Sequence, residues 1–533
     1  MTNKKMVRRD FLKTLSVGTA ATVCGMGAAG RSAELFDPTR QISTIFKPAS
    51  SMQHTFFTRY GPSRRTVAPV RPNVLLITAD DMAYGSVGVN GSTAPNPTPN
   101  LDRLAGEGIR FEHAHVNIAV CQPCRGTIAT GRYPHRSGIE GFEHTSKKMP
   151  TIMQTLKDEG YLTGIFCKVT HSTPHADFVW DHVSGSKKMC NGRSPERFYE
   201  DAKKFISRSQ SLRKPFYLMA NSQDPHRPFA GAKRGEANLG KCHVPPPSRH
   251  FSPEEVTVPG FLPDLPEIRE EISRYYGSVR RTDDTVGALL QALDDTGERD
   301  NTIVIYISDH GMSFPFSKGN CYPQSTRVPW IMRWPQRIEA GLVDSDHFIS
   351  TIDFMPTILE ALELPIPEGL DGRSFVPLLE GKPQAGRELV FTQFYRTSKE
   401  NVYPMRAVHS KSTCYIFNPW SNGKKRFVVE AMRGLSFEAM RKAAKTDQQL
   451  KRRVKYFEYR VLEELYDLEH DPYCLHNLAA DRSHRRLLGN MRATLEGWMK
   501  TTDDRALTFF RNPKSKRARK KLVNSTHRFR RRV

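Results

Sequence analysis

The chain has 533 residues, too many for one compact core, so one large and one smaller domain are expected. Hydrophobic residues make up 38% of it, enough for a globular protein, which excludes a wholly disordered chain. The formal net charge of +24 favours polyanionic partners, whether nucleic acid, anionic membrane or acidic polysaccharide.

Residues 1–33 carry Arg8-Arg9, then Phe11-Leu12-Lys13, a mild apolar run from Thr14 to Ala29, and small residues. This resembles a bacterial twin-arginine signal peptide, which implies Tat export of a folded chain to the periplasm or beyond. Any cofactor or modification is then installed before export. The run is too short and weakly apolar to span a bilayer, and no other segment spans one. Residues 34–70 are polar and unpatterned and read as a linker or arm.

At Arg71 the character changes. "VLLITADD" is a β-branched run ending in two carboxylates, which suits a strand buried on both faces of a parallel sheet. "TPNLDRLAGEGIRF" reads as a helix with Thr98 or Asn100 near its N-cap. A second helix starts near Thr151 and stops at Gly160, with a strand from Leu162. "KPFYLMAN" is a further strand, "EISRYYGSVRRTDDTVGALLQALDDTG" a long amphipathic helix, and "NTIVIYIS" another buried strand. This alternation predicts an α/β fold: a large mixed, mostly parallel sheet with helices on both faces, over 71–385. From about Gly386 short strands and a helix over about 483–500 predict a smaller α+β subdomain, 386–510, with an antiparallel sheet. The stretch 511–533 is rich in Lys and Arg, lacks acidic residues, and reads as a disordered basic tail.

Polar residues at the C-terminal ends of parallel strands converge on one crevice. Here those ends supply Asp80-Asp81, Lys168 with His171, Asp224 with His226, and Asp309-His310. A lone Asp after a strand is usually a cap. Two doublets, each directly after a buried strand, instead suggest a hard divalent cation that offsets carboxylate repulsion. Imidazole is a poor calcium ligand, so His310 is the least typical member. Of nine cysteines, Cys121 and Cys124 stand in Cys-Gln-Pro-Cys-Arg. That stretch reads as a dithiol pair, as a metal knuckle, or as C-x-P-x-R in which only Cys121 carries chemistry. No second C-x-x-C completes a zinc site. Cys190 and Cys242 are one possible disulfide.

The chain resembles the formylglycine-dependent sulfatases of the alkaline phosphatase superfamily. "RPNVLLITADDMAYGSVG", "TPNLDRLAGEGIRFEHAHV", "CQPCRGTIATGRYPHRSG", "DPHRPF" and "TIVIYISDHG" fall in family order between Arg71 and Asp503. Within the family, "FPFSKGNCYPQSTRVPWIMRWP", "YPMRAV" and "ELYDLEHDPYCLHNLAAD" are similar to the N-sulfoglucosamine sulfohydrolase (sulfamidase) branch. The resemblance implies an alkaline phosphatase-like fold, with 71–385 as the catalytic domain. It also implies that Cys121 is oxidised to formylglycine by a formylglycine-generating enzyme, and that one Ca2+ lies among Asp80, Asp81, Asp309, His310 and modified Cys121. Arg125 would steady the formylglycine, Lys168 and His171 would lie beside its hydrate, and His226 and Lys318 would bind sulfate and protonate the leaving atom. The implied substrate is a sulfated saccharide, with no specific nucleic-acid partner.

Three positions depart from the family pattern. Cys124 stands where serine is usual, Lys168-x-x-His171 is one residue longer than K-x-H, and Cys167 replaces a glycine. Three other readings stand beside the sulfamidase-like one: an O-sulfatase on other sulfated polysaccharides, a phosphoryl hydrolase on the same scaffold, and a non-catalytic polyanion-binding protein.

Overall fold

The computed structural model describes residues 71–232 and 242–524. The expected signal peptide and the 34–70 arm lie outside the described residues. In chain order the strands are β1 (Asn73–Ala79), β2 (Ile109–Phe111), β3 (Ala114–His115), β4 (Leu162–Phe166), β5 (His182–Ser184), β6 (Phe216–Asn221), β7 (Thr302–Ser308), β8 (Trp330–Arg333), β9 (Leu342–Asp344), β10 (Ile349–Ser350), β11 (Val390–Arg396), β12 (Val402–His409), β13 (Thr413–Phe417) and β14 (Glu463–Asp467). The longer helices are α1 (Pro99–Gly106), α2 (Cys121–Thr130), α3 (Ile152–Asp158), α4 (Pro195–Leu212), α5 (Pro266–Asp295), α6 (Phe354–Ala361), α7 (Leu435–Ala443), α8 (Gln448–Tyr459), α9 (Arg485–Thr501) and α10 (Lys516–Asn524).

The large sheet runs β5-β4-β6-β1-β7-β8-β2-β9. From β5 to β7 every pairing is parallel, while β8 is antiparallel to both its neighbours. β1, β6 and β7 are buried at every residue, as strands covered on both faces must be. At Gly164 in β4 the sheet approaches α4 so closely that a Cβ would stand 2.7 Å from the Phe205 ring. This mixed, mostly parallel sheet is the architecture that the strand–helix alternation predicts.

Several helices differ from expectation. The long helix α5 begins at Pro266, earlier than its amphipathic pattern suggests, because proline at N1 needs no hydrogen-bond partner. α4 was not expected, although its signal is present. Ser194 accepts from the Arg197 N–H as N-cap, Pro195 follows, and Phe198, Ala202, Phe205 and Ile206 form its buried face.

The smaller sheet is antiparallel in the order β11-β12-β13-β14. α9 crosses it, with Trp498 stacked on Phe391 at a centroid distance of 5.3 Å. β11 also joins the larger unit, since the Gln393 N–H donates to the Asn117 carbonyl at 2.8 Å.

The basic tail needs a correction. Rather than a disordered extension, 516–524 form α10, which docks on the small sheet. Leu522 is 3% exposed, Ala518 and Leu522 join the cluster around Trp498, and the Arg519 guanidinium lies 5.0 Å from the Phe509 ring. An apolar pair at i, i+4 gives the helix one face to bury, so its remaining charges stay solvated. Residues 525–533 lie outside the described residues. Cys190 and Cys242 form a disulfide with Cα atoms 5.4 Å apart, and Cys121 and Cys124 are free buried thiols.

Candidate active site

The four adjacent strands β4, β6, β1 and β7 end at one edge of the sheet, and each is followed by polar residues. Successive residues of a strand point to opposite faces. Asp81 escapes that alternation because it takes φ +75°, a conformation that Asp tolerates. Asp80 and Asp81 thereby both reach the same cluster. Cys167 and Lys168, with φ +55° and +46°, turn the chain after β4 so that the Lys168 ammonium pairs with Asp80 Oδ2. A left-handed backbone at Cys167 also explains why glycine suits that position.

Cys121 is the first residue of α2, whose ten residues are all buried. No side chain caps this helix at Val120, so its first N–H groups and the positive end of its dipole are left at position 121. Pro123 sits in the first turn, where a missing N–H costs nothing. Cys121 Sγ lies 3.3 Å from Asp80 Oδ1 and 3.4 Å from His310 Nε2.

One turn on, Arg125 is fully buried and ties α2 to three strand ends. It donates to Thr78 Oγ1 at 2.7 Å, Asn221 Oδ1 at 2.5 Å and Asp309 Oδ2 at 3.0 Å. Asp309 Oδ1 accepts from the Asp81 N–H at 3.2 Å and lies 3.4 Å from His310 Nε2. His310 Nδ1 is 3.3 Å from Asp81 Oδ1. Asp80, Asp81, Cys121 and His310 each offer a ligand atom within 4.8 Å of the others, and Asp309 adjoins them on the Arg125 side.

The donor set fits a hard divalent cation. Three carboxylates converge, and Asp81 Oδ2 is buried without a hydrogen-bond partner. Burial alone would raise the pKa of Asp80, but Lys168, His226, Lys318 and Arg125 outweigh it and hold this carboxyl well below the usual range. For Asp81 burial dominates and raises the pKa, although Lys318 lies 2.8 Å from Oδ1. A cation between the two would favour both ionised forms.

Above the cluster opens a cavity of about 760 Å³, lined by Cys121, Lys168, His171, His226 and Lys318 among others. All six residues expected to act in catalysis therefore gather here, with Arg125 beneath the floor. His171 packs edge-on against Phe142 at 5.3 Å, and its Nδ1 is buried without a partner. Burial, then Lys168 and Arg125, push its pKa down to about 3, so the imidazole is neutral and able to accept a proton. Burial lifts both the Cys121 and Cys124 thiols well above the ordinary range, with Asp80 adding to the first and Asp309 to the second. Neither is a poised thiolate, which counts against a dithiol role.

Asp224 does not join the cluster, contrary to expectation. It faces away and takes Arg193 Nε on Oδ1 at 3.1 Å and Arg281 Nε on Oδ2 at 2.6 Å. Arg193 also donates to the His226 carbonyl at 2.8 Å, so this buried group anchors the His226 loop. His115 bonds Thr326, and His135 bonds Gln393, so neither faces the cavity.

Sequence reasoning missed Glu430. It enters the cavity from the segment between β13 and α7, with Oε2 3.0 Å from Lys318 Nζ and Oε1 3.4 Å from His226 Nε2. Burial would raise its pKa, but Lys318 and His226 bring it down to about 2. "RFVVEAMRG" carries no motif that could have marked it.

The fold and the site together set strand-end carboxylates of a central parallel sheet around a buried cysteine at a helix N-terminus. A family model described as Sulfatase matches residues 72–364. The human N-sulphoglucosamine sulphohydrolase is 30% identical over 467 residues, covering 81% of this chain and 90% of that protein. An ulvan-active sulfatase of Formosa agariphila is 27% identical, covering 81% of each. Among solved structures, one in complex with its substrate D-glucosamine-2-N,6-O-disulfate superposes with a TM-score of 0.60 at 20% identity, covering 81% of this chain and 98% of that one. The chain belongs to the sulfatase family and is a sulfatase hydrolase.

Proposed function

We propose that the protein removes sulfate from a sulfated saccharide, with the sulfamate of a terminal N-sulfoglucosamine as its substrate. One observation carries this reading. Asp80, Asp81, Asp309 and His310 close around Cys121, whose C-x-P-x-R residues begin a buried helix at the base of a cationic cavity. The 30% identity to N-sulphoglucosamine sulphohydrolase over most of both chains supports the choice of sugar.

Cys121 oxidised to formylglycine would supply, as its hydrate, an oxygen nucleophile, and a Ca2+ held by Asp80, Asp81, Asp309 and His310 would favour its ionised form. The remaining work falls to the chain's own side chains. Arg125 holds Asp309 and the first turn of α2 in register with the strand ends. His171, a neutral acceptor lining the same cavity as Cys121, takes a proton as sulfate is released. Lys168 and Lys318 bring positive charge to the sulfuryl oxygens, and His226 protonates the leaving atom. On this reading the modification requires a formylglycine-generating enzyme, and the twin-arginine-like N-terminus supports Tat export to the periplasm or exterior.

Co-expression with a formylglycine-generating enzyme, followed by peptide mass spectrometry, tests the first step. The Cys121 peptide is expected to carry an aldehyde or its hydrate, and a peptide that stays thiol under these conditions would falsify the mechanism. A screen of the modified enzyme on defined N- and O-sulfated monosaccharides then reads the substrate. Release from O-sulfated sugars alone would refute the sulfamate assignment and leave the sulfatase intact.

A further inference from the structure

Among the described residues, Glu430 is the sole carboxylate lining the cavity, in company with Lys168, Lys318, Lys399 and Arg433. A cavity that accepts an anionic sulfuryl group has no evident use for a negative charge at its wall. Glu430 is nevertheless held firmly there. Val429 and Ala431 on either side are buried, and its two oxygens face different partners, Lys318 Nζ at 3.0 Å and His226 Nε2 at 3.4 Å. His226 Nδ1 lies 2.7 Å from the Arg227 carbonyl, which can only accept, so Nδ1 is the donor there and Nε2 is the nitrogen turned to the cavity. A leaving atom that takes its proton from Nε2 therefore arrives within reach of Glu430 Oε1.

This arrangement distinguishes two kinds of leaving atom. The bridging nitrogen of a sulfamate carries a hydrogen, and a carboxylate can accept it. The bridging oxygen of a sulfate ester carries only lone pairs, which a carboxylate repels. From this geometry, and resting on the sulfatase reading above, we infer that Glu430 is the residue that selects a nitrogen leaving group, accepting a hydrogen bond from the substrate's sulfamate N–H. As the sulfuryl group passes to the nucleophile at position 121, the S–N bond breaks with its electron pair left on nitrogen. Nitrogen takes the Nε2 proton of a doubly protonated His226, which is left neutral with its remaining proton on Nδ1, and the resulting amine remains hydrogen-bonded to Glu430. Sites built to hydrogen-bond a substrate N–H discriminate strongly against analogues that lack it.

The test uses formylglycine-containing, calcium-loaded wild type, Glu430→Gln and Glu430→Asp, each with N-sulfoglucosamine, glucosamine 6-O-sulfate and 4-nitrophenyl sulfate. Glu430→Gln replaces a charged acceptor by a neutral amide oxygen and is expected to lose about 10-fold in kcat/KM on the sulfamate, the difference between a hydrogen bond to a charged group and one to a neutral group. Turnover of the two esters should hold or rise, and Glu430→Asp should recover part of the sulfamate activity. Equal losses on all three substrates, or no loss on the sulfamate, would overturn the assignment of Glu430 while leaving the sulfatase reading in place. Wild type inert on all three would instead overturn the underlying reading and this one with it. Should Glu430→Gln fail to fold, Glu430→Asp still decides the matter, because a longer reach to nitrogen lowers sulfamate turnover selectively.

Discussion

At the scale of single residues the site combines groups that burial alone would not tolerate. Asp80, Asp81 and Asp309 are wholly buried, and Asp81 keeps one oxygen without a hydrogen-bond partner. Calcium should therefore stabilise the folded chain by about 2.7 kcal/mol at a hundred times its dissociation constant. Asp81→Asn should remove most of that gain, which thermal melts with and without calcium would read. A variant that melts with the full calcium shift would show that the ion binds elsewhere. The residues that gather in this cluster were legible in the sequence because they sit in doublets and motifs directly after buried strands. Glu430 was not, since its neighbours are ordinary and only the chain's return from the small sheet brings it to His226. Asp224 was legible as a strand-end carboxylate yet misread, because sequence does not show Arg193 and Arg281 waiting behind it.

At the scale of elements, the His226 loop depends on that buried trio. Asp224→Ala would leave two guanidinium groups buried without their carboxylate, a loss of about 3–5 kcal/mol in unfolding free energy. Chemical denaturation should show that drop, together with a fall in kcat/KM as His226 loses its anchor. Stability within 1 kcal/mol of wild type, on the order of an ordinary surface change, would argue that solvent reaches the pair. The parallel strands were readable from their apolar runs, as were α1, α3, α5 and α9 from their periodicity. α4, with its Ser-Pro start, and α8, with its Asp447 cap, carry helix signals of their own, whereas α7 starts at Gly434 with no side-chain cap.

For the whole molecule, the basic C-terminus is partly structural. Deleting residues 513–533 removes the packing of Leu522 and should cost about 2 kcal/mol, measurable as a lower melting temperature. Turnover of a small substrate should be unchanged, since α10 lies on the small sheet and contributes nothing to the cavity lining. Loss of that turnover at temperatures where the truncated chain remains folded would assign the tail a part in the reaction itself.

The burial of Cys121 also sets a schedule. The residue is 4% exposed, set in the floor of the cavity at the first turn of α2. On the proposed mechanism, a modifying enzyme could not grip a cysteine in that position, so its oxidation would belong to the interval between synthesis and closure of the sheet. A chain that folds first would then be committed to its thiol. Offered to a formylglycine-generating enzyme, folded unmodified protein should remain thiol while a peptide spanning 117–138 is converted. Conversion of both at similar rates would mean that the helix opens far more readily than its packing suggests. If the schedule holds, the fraction of active molecules is decided once per chain, by a race between oxidation and folding, and no later exposure to the modifying enzyme can raise it.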